Sequence, residues 1–390
     1  MSGVPRKGGT MDFVITSENV QVRDLAREFA QSEIKPCVMK YDEAQEFPME
    51  IMRKLGELGF MGATVSEKYG GSGLSYVDYC SIVEEISKVD PSIGLSVAAH
   101  NGLSTSHIYN FASEELKQKY LPELTSGRKI GAWGLTEPTS GSDSASLRTT
   151  ARREGNYFVL NGTKQFTTHG SVGEIIVAMA RTDPSKGKNG ISAFVIEKGT
   201  PGFSVGRKEN KLGMRASDTS TMIFQDLRVP KENLIGDEGE GLKQALLVLD
   251  AGRIGIAALA VGAAQGALDA SVKYARERTQ FGRGLGEFQA IQWKISEMAT
   301  KIEAARLLTS KAAYLKDHGK RISLVAATAK YFASEIAVEC AEEAVQIHGG
   351  YGFIKDFPVE KFYRDVKLLT IGEGTSEVQK MVIARNILNL

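Results

Sequence analysis

Three long segments in the C-terminal part of the chain repeat apolar residues with the period of an α-helix. The first of them is mostly apolar along its whole length. Only short connections separate the segments, which are Glu240–Arg278, Gln289–His318 and Ile322–Gly349. Long helices joined by short loops are typical of a helical bundle. We therefore expect residues 238–390 to form one.

The part of the chain before residue 128 is also helical by its pattern. We expect its ordered region to begin at Met11, after a leader over Met1–Thr10, and to form a helical domain over residues 11–127. Apolar spacing at i, i+3, i+4, i+7 and i+8 predicts one buried stripe on the first helix. Its members are Val22, Leu25, Ala26, Phe29 and Ala30.

A further helix is predicted at Ile93–Ser104, opened by Asp90, Pro91 and Ser92. The segment is rich in Gly, Ala and Ser, so another group can approach its backbone closely. Two interpretations remain open. The helix forms the wall of a ligand cavity, or its small residues allow two helices to pack tightly.

Between residues 128 and 237 the period changes to that of strands. Asn161-Gly162, between two strand-like runs, predicts a hairpin turn. Further runs with strand character are Glu174–Arg181, Ile191–Glu197, Phe203–Arg207 and Thr219–Asp226. Short strands at this spacing favour an antiparallel sheet or barrel. The predicted fold is therefore α+β and multidomain, with a middle antiparallel β-domain between two helical domains.

The charge balance excludes several classes of function. The formal net charge of the 390 residues is +1 without a long basic block, so nothing indicates binding to nucleic acid or to an anionic membrane. The apolar stretch Ile254–Ala264 is too short to span a bilayer, so we expect no membrane insertion. Cys37, Cys80 and Cys340 are isolated, so we expect neither disulfides nor a metal site. Free thiols fit a reducing compartment.

No standard nucleotide or protease motif is present. Gly282-Arg283-Gly284-Leu285-Gly286 follows a helix, so it fails the strand-before-helix condition of a dinucleotide fingerprint. The stretch Trp133–Asp143 is more informative, because it combines hydroxyls, two glycines and a proline. Such a loop can approach a planar heterocycle and a pyrophosphate. Its composition alone favours an ordinary surface loop.

One carboxylate near the C-terminus has an unusual setting. Glu373 lies between Gly372 and Gly374, and a helix Glu377–Leu388 is predicted directly afterwards, with Ser376 and Gln379 at the spacing of a capping box. A flexible turn at a helix N-terminus can direct an acid into a cavity beside free N–H donors. Taken alone, the stretch favours a solvated loop acid between two glycine hinges.

Together these motifs resemble those of the acyl-CoA dehydrogenase family. The resemblance extends over Met11–Leu390 with order and spacing kept. It rests on the loop after Trp133, on Phe166-Thr167-Thr168, on Arg278-Thr279-Gln280-Phe281-Gly282, on Gln346-Ile347-His348-Gly349-Gly350 and on Glu373-Gly374-Thr375. It implies a helical domain, a middle β-domain and a C-terminal four-helix bundle, with FAD between the last two.

The resemblance also implies which residues bind FAD. Those expected from the same subunit are Leu135, Thr136, Ser142, Phe166, Thr167, Thr168, Thr375 and Glu377. Those expected to reach the FAD of a neighbouring subunit are Arg278, Gln280, Phe281, Gln346, Gly349 and Gly350. A homotetramer is therefore implied. From its sequence neighbours alone, Arg278 fits a solvated helix end.

For the substrate, Asp250 and Arg253 are at i, i+3 and share a helix face. A surface ion pair is one interpretation, whereas the resemblance implies that the pair contacts coenzyme A, with Ser142 and Gly374 also near the substrate. Glu373 matches the family's catalytic base. Some members carry the base instead on the long helix, at the position of Gly252, so Glu373 has no rival.

Several residues depart from the family pattern. Phe166 and His169 replace the usual Trp and Asn, which we expect to alter flavin electronics. Gly372 and Ala99 are small where other members carry Tyr and Glu, so both are expected at a widened acyl pocket. We expect a short or branched acyl chain. Residues 92–101 contain no Arg or Lys, which disfavours a dicarboxylyl substrate.

The implied reaction is α,β-dehydrogenation of an acyl-CoA to the trans-2-enoyl-CoA. Glu373 takes the α-proton, flavin N5 takes the β-hydride, and an electron-transferring flavoprotein takes the electrons. An oxygen-using oxidase is the first alternative, disfavoured because oxidases of this superfamily usually have an additional C-terminal domain. A non-catalytic flavin- or CoA-binding member is the second. The expected compartment is the bacterial cytoplasm, or the mitochondrial matrix for a processed eukaryotic protein.

Overall fold

The computed structural model describes residues 16–390. The predicted start of order at Met11 and the leader Met1–Thr10 lie outside the described residues. Within residues 16–390 seven α-helices precede the first strand: α1 Ser17–Phe29, α2 Val38–Ala44, α3 Met49–Glu57, α4 Tyr76–Ser87, α5 Pro91–Ala99, α6 Ser106–Phe111 and α7 Glu114–Thr125. Helix α1 begins at Thr16, whose hydroxyl accepts from the backbone N–H of Asn19 in a capping box.

The buried stripe of α1 is narrower than predicted. Ala26, Phe29 and Ala30 are buried and Val22 is partly buried, but Leu25 is 42% exposed. The helix packs mainly against α4 on one side, so the prediction for Leu25 is wrong. An i+3 position at the margin of a stripe faces solvent when only one neighbouring helix covers it.

The small-residue helix begins where the sequence predicts. The Asp90 carboxylate caps α5 by accepting from the Ser92 N–H at 2.8 Å, and the helix continues through a π-helical turn at His100–Thr105. A Cβ added at Gly94 would lie 2.0 Å from Ser87 Oγ. Tight helix packing, one of the two interpretations, therefore explains the glycine on this face.

Eight strands of the described chain form the middle sheet: β1 Gly131–Gly134, β2 Thr150–Glu154, β3 Tyr157–Thr168, β4 Ile175–Arg181, β5 Ile191–Glu197, β6 Phe203–Lys208, β7 Thr219–Pro230 and β8 Leu234–Ile235. Their order in the sheet is β6-β7-β3-β2-β4-β5-β8, with β1 paired to β4. Most pairs are antiparallel, as predicted, whereas β4 pairs in parallel with β1 and β2.

The predicted hairpin at Asn161-Gly162 is wrong. Strand β3 passes through this dipeptide without reversing, and the register against β7 shifts between Leu160 and Gly162. The chain reverses earlier, between β2 and β3, where Gly155 has φ +59°. Asn161 bonds instead to Asp226 of β7. A bulge and a turn use the same residue types, which is why the local signal misled.

The C-terminal bundle follows the predicted segments closely. Its helices are α8 Gly241–Glu277, α9 Gln289–Asp317, α10 Ser323–His348, α11 Val359–Val366 and α12 Ser376–Leu388. Helix α8 packs against α10, α9 and α4 and forms the centre of the bundle. By length and composition α8 could cross a membrane, but 78% of its most apolar window is buried inside the protein, as in a core helix.

A buried ionic cluster joins the three parts of the chain. Lys361 of α11 contacts Asp90 at 2.8 Å and Asp365 at 2.5 Å. Asp365 also accepts from the backbone N–H of Met214, in the loop between β6 and β7. Burial works against the charge of Lys361, but the two carboxylates hold its pKa above the ordinary value. The N-terminal helices, the β-domain and the bundle therefore meet at one cation.

Removing this cation should destabilise the folded chain. Lys361→Met leaves two buried carboxylates facing each other, and breaking a buried ion pair in this way costs about 3–5 kcal/mol. The matched control is Lys186→Met, which removes an exposed partner of Asp183 and should cost less than about 1 kcal/mol. Urea unfolding followed by circular dichroism measures both. Equal midpoints for the two variants would contradict the role of the cluster.

Candidate active site

Glu373 lies in a strained turn before α12. Its φ is +51°, in the left-handed region that non-glycine residues rarely adopt, and Gly374 follows with φ +92°. A Cβ added at Gly374 would lie 2.6 Å from Gln379 Nε2, so only glycine fits there. The flexible dipeptide predicted from sequence is therefore a tightly specified turn that directs the Glu373 side chain inward.

Two side chains hold the carbonyls of this turn. Gln379 Nε2 donates to the carbonyl oxygens of Glu373 at 3.3 Å and Gly374 at 3.0 Å. Lys330 of α10 donates from Nζ to the same Gly374 oxygen at 2.7 Å. Both Gln379 and Lys330 are completely buried. The turn is thus bonded to α12 and α10 together.

The predicted capping box at Ser376 and Gln379 is wrong by one residue. Thr375 is the N-cap of α12, and its hydroxyl accepts from the Val378 N–H at 3.3 Å. Ser376 donates instead to Glu335 of α10 at 2.5 Å. Since Gln379 bonds the turn carbonyls, its side chain does not return to the cap. Adjacent Thr and Ser made the two registers indistinguishable in sequence.

The Glu373 carboxylate faces the long helix. The residue as a whole is half-buried, but its Oε2 atom is buried and has no hydrogen-bond partner among residues 16–390. A Cβ added at Gly252 of α8 would lie 2.5 Å from Oε2 and 3.3 Å from Leu103 Cδ2. The absence of a side chain at Gly252 therefore leaves the space that the carboxylate occupies.

Burial raises the pKa of Glu373 to about 7, while the nearby cations Lys330 and Arg253 act in the opposite direction. A carboxyl group with this pKa exchanges a proton near neutral pH. That is the property a general base requires. The unpartnered oxygen is free to receive the proton.

Asp250 and Arg253 form an ion pair, but not on the surface. Arg253 Nη1 donates to Asp250 Oδ1 at 2.5 Å, and the two side chains are only 5% and 16% exposed. Ser323 donates to the other oxygen of Asp250. Arg253 Nε is buried without a partner in the described part of the chain. The surface interpretation is therefore wrong, and a donor remains available beside Glu373.

An apolar wall lies next to the carboxylate. Ala99, predicted at the acyl pocket, is 5% exposed and packs with Leu103 and Val248. Since Leu103 also faces Gly252, the structure brings Ala99 into the neighbourhood of Glu373. A Cβ at Gly372 would meet Leu368 only at ordinary contact distance, 3.6 Å, so the small residue leaves room there.

Tyr79 of α4 closes the same region. A Cβ added at Gly255 would lie 2.6 Å from the Tyr79 hydroxyl, and one added at Gly102 would lie 3.5 Å from it. Gly252 and Gly255 are at i, i+3 on α8, so Glu373 and Tyr79 lie over one helix face about one turn apart. The phenol is buried, and its only hydrogen bond to the described residues, to the Ala98 carbonyl, is 3.4 Å long.

Two predicted cofactor segments lie together in the β-domain. The Gln165 N–H donates to the Thr136 carbonyl at 2.8 Å, which joins the loop after β1 to the end of β3. Glu137 fixes that loop from inside, accepting from Lys164 Nζ at 2.7 Å and from the backbone N–H groups of Arg148 and Thr149. Burial lowers the pKa of Lys164 to about 8, against the attraction of Glu137.

The individual residues of these segments differ in exposure. Phe166 has φ +53° and is 64% exposed, so its ring presents an open aromatic face. Leu135 and Thr167 are buried, Thr136 and Thr168 are half-buried and Ser142 is exposed. His169 lies in the core, bonded to the Gly131 carbonyl at 3.0 Å. Of the two residues expected to alter flavin electronics, Phe166 and His169, only Phe166 lies on this open face.

The predicted residues of the Arg278 and Gln346 segments lie far from Glu373 within one chain. Arg278 follows Arg253 by 25 residues at the end of α8, roughly 37 Å along the helix. Its guanidinium lies 5.3 Å from the Tyr351 ring, and Phe281 is 93% exposed. The other exposed residues of the prediction are Gln280, Gln346, Gly349, Gly350 and Glu377. Except for Glu377, at the start of α12, these residues lie at the end of the helical bundle that contains Arg278.

Sequence reasoning missed Lys330, Tyr79 and the Glu137–Lys164 pair. A signal existed for Lys330, because it lies on the alanine-rich face of α10 beside Ala326 and Ala333, where only a functional charge is expected. No such signal marked Tyr79. Among residues 16–390 no cluster of His, Cys, Asp or Glu could hold a metal ion.

A surface groove of about 740 Å³ lies elsewhere, between α7 and the ends of β5 and β7. Its lining includes Lys119 and Glu197, an exposed ion pair at 2.7 Å. None of the residues around Glu373 contributes to it. This groove is not the candidate site despite its volume, because none of its lining residues carries a buried polar side-chain atom without a hydrogen-bond partner.

Comparison with known proteins gives a consistent result. Three family models match the chain, described as the acyl-CoA dehydrogenase N-terminal domain over residues 16–128, middle domain over 132–227 and C-terminal domain over 239–388. The short-chain specific acyl-CoA dehydrogenase of Clostridium acetobutylicum is 49% identical over 377 residues, which are 97% of this chain and all of that relative.

Solved structures agree with these matches. Butyryl-CoA dehydrogenase of Megasphaera elsdenii has a TM-score of 0.95 at 42% identity, covering 97% of this chain and 100% of that one. A chain from work on the electron transferring flavoprotein of Acidaminococcus fermentans and flavin-based electron bifurcation has a TM-score of 0.96 at 48% identity, with 97% and 100% coverage.

The contact between Glu373 and Gly252 can be tested directly. Gly252→Ala places a Cβ 2.5 Å from Oε2, whereas ordinary contacts begin at 3.4 Å, so the carboxylate should move by about 1 Å. A crystal structure of the variant measures the displacement. Gly102→Ala is the matched control, because its Cβ would meet Gly252 Cα and Tyr79 only at 3.5 Å. An unmoved carboxylate in Gly252→Ala would contradict the assigned position.

Proposed function

The chain belongs to the acyl-CoA dehydrogenase family, and we propose that it converts a short or branched-chain acyl-CoA thioester to the trans-2-enoyl-CoA. Members of this family are FAD-dependent oxidoreductases that act on CH–CH bonds. The observation that carries the proposal is the Glu373 carboxylate, buried, unpartnered at Oε2 and adjacent to an apolar wall.

The residues present fit FAD. The open ring of Phe166 lies beside the loop that Glu137 fixes, and a planar isoalloxazine ring would cover this aromatic face. We assign Leu135, Thr136, Ser142, Thr167 and Thr168 to the same cofactor surface, with Thr375 and Glu377 at the start of α12. Bound FAD supplies the hydride acceptor for the β-carbon.

Glu373 removes the α-proton in this proposal. The Cα–H bond of the thioester breaks, the proton moves to a carboxylate oxygen of Glu373, and the developing negative charge spreads to the thioester oxygen. The left-handed turn positions the Glu373 backbone N–H as the donor for that oxygen. An acyl chain that excludes water makes the carboxylate a stronger base.

Arg253 and Asp250 orient the coenzyme A end. The unpartnered Nε of Arg253 supports this role, because a buried guanidinium donor lacks its partner until a ligand arrives. Ser142 and Gly374 are assigned to the thioester side of the same substrate. Ser323 and Asp250 hold the guanidinium in place.

A short chain is favoured by what lies beyond the carboxylate. Ala99 and Gly372 leave lateral room for a branch, whereas the Tyr79 phenol occupies the space one helical turn further along α8. The similarity to a relative named as short-chain specific supports the same assignment. Pathways that degrade fatty acids or branched-chain amino acids produce such thioesters.

We assign an electron-transferring flavoprotein as acceptor, supported by the similarity to a chain studied with such a protein.

A homotetramer is proposed because one group of predicted cofactor residues is remote from Glu373 in its own chain. These residues are Arg278, Gln280, Phe281, Gln346, Gly349 and Gly350. Exposed Phe281 and Phe353 suit an interface between copies. The bacterial relative favours a bacterial cytoplasm.

Slow reoxidation of the reduced enzyme in air, measured by stopped flow, separates a dehydrogenase from an oxidase.

The base can be tested by substitution and by pH. Because the pKa of Glu373 is about 7, the reactive carboxylate predominates above pH 7, and kcat/KM should fall as the pH drops through 7. Glu373→Gln should lower kcat by at least about 1000-fold while FAD stays bound. Anaerobic bleaching of the flavin by butyryl-CoA measures both.

The control for this experiment is Glu342→Gln, which changes an exposed carboxylate on α10 and should leave bleaching unchanged. If Glu373→Gln still bleached at the wild-type rate, the base assignment would be wrong. A wild-type protein that no thioester bleaches would instead support the non-catalytic alternative.

The chain length can be tested with straight and branched C4–C8 thioesters. We expect kcat/KM to be highest at C4 or C5 and an optimum at C8 to refute the assignment. Tyr79→Ala should raise the C8 to C4 ratio at least about tenfold, because each methylene accommodated in a pocket contributes about 1–3 kcal/mol. Tyr79→Phe, which removes only the hydroxyl, should give a smaller change.

A further inference from the structure

Lys330 is a buried cation without an ion-pair partner. It lies on α10 among alanines, is completely buried, and donates one hydrogen bond, to the Gly374 carbonyl at 2.7 Å. It makes no ion pair within 4.0 Å with any carboxylate in the described part of the chain. Burying an ammonium group destabilises the folded protein unless nearby charges and acceptors compensate it. The compensation must therefore come from the Gly374 dipole and from a more distant carboxylate.

The carboxylate that compensates it most is Glu373. Burial lowers the pKa of Lys330 to about 8, and the attraction of Glu373 is the largest effect in the opposite direction. Conversely, Lys330 is the cation that most favours the charged form of Glu373. The two groups are next to each other through the turn, since Gly374 follows Glu373 directly.

We propose that Lys330 is a positioning residue for the base, which holds the Gly374 carbonyl so that the left-handed Glu373 turn persists and favours the carboxylate over the acid. The proposal rests on the proposed function and adds a second residue to it. Gln379 holds the same turn from α12, but it is neutral, so of the two residues that hold the turn only Lys330 can act through charge.

Other charged groups face this pair. Arg253, neutralised in part by Asp250, approaches Glu373 from α8, and Tyr79 approaches from α4 as a neutral phenol. Glu335 of α10 and Glu377 of α12 also attract the charge of Lys330, less strongly than Glu373 does. Since Arg253 already has a carboxylate partner, its charge cannot substitute for that of Lys330.

The experiment compares three substitutions in the FAD-loaded enzyme. Lys330→Arg keeps both charge and donor, Lys330→Gln keeps a donor alone, and Lys330→Met keeps neither. Lys311→Met, at an exposed lysine of α9, is the control. The readouts are the pH profile of kcat/KM with butyryl-CoA and an infrared titration of the carboxyl C=O band that Glu373→Gln removes.

The acid limb and the infrared midpoint should both move up by roughly one pH unit in the Gln and Met variants. They should stay near the wild-type value in the Arg variant and the control. Met should also lose more kcat than Gln, because it cannot hold the carbonyl.

Unchanged midpoints in whichever neutral variant retains FAD would overturn the proposal. Loss of FAD and folded structure in both would overturn it too, by assigning Lys330 to folding. The infrared titration needs no turnover. A midpoint shift in a protein that no thioester bleaches would therefore uphold this role while the proposed reaction fails.

Discussion

The desolvation of one carboxylate organises the centre of this protein. Burying Glu373 without a direct ion pair raises its proton affinity, and the surroundings compensate only in part, through Lys330 and Arg253 at a distance. A closer cation would keep Glu373 ionised and abolish its basicity. Without any nearby cation, the carboxyl group would stay protonated. The arrangement suits a group that has to gain and release a proton. The bare backbone at Gly252 leaves the space in which that carboxylate is buried.

The fold supplies this environment by bringing distant segments together. Gly252 and Glu373 are 121 residues apart in sequence, yet their atoms are in contact range because α8 runs through the middle of the bundle. The cluster around Lys361 holds the N-terminal helices and the β-domain against that bundle. It thereby fixes the wall that contains Ala99 and Leu103. The position of the carboxylate is thus a consequence of domain packing as well as of the local turn.

Periodicity predicted the helices and most strands, because burial on one face leaves a repeat that a single segment carries. Helices α8, α9 and α10 agree with their predictions to within about one residue at each end. The errors have local physical causes. Asn161-Gly162 fits a turn or a bulge, and only the pairing of β3 with β7 decides between them. Thr375 and Ser376 are both favourable N-cap residues, but the Ser376 hydroxyl donates to Glu335 and therefore does not cap α12.

The site was less accessible to sequence than the fold, since its chemistry depends on contacts between segments. Glu373 in its own stretch fits a solvated loop, and the resemblance to a family was needed to single it out. Even then, the properties that suit it to the proposed role of base were hidden. Its left-handed backbone lies in the loop before α12. The glycine opposite its oxygen lies on α8, and the lysine behind its turn lies on α10. A pattern can identify the reactive group, but the pKa of that group belongs to the packed structure.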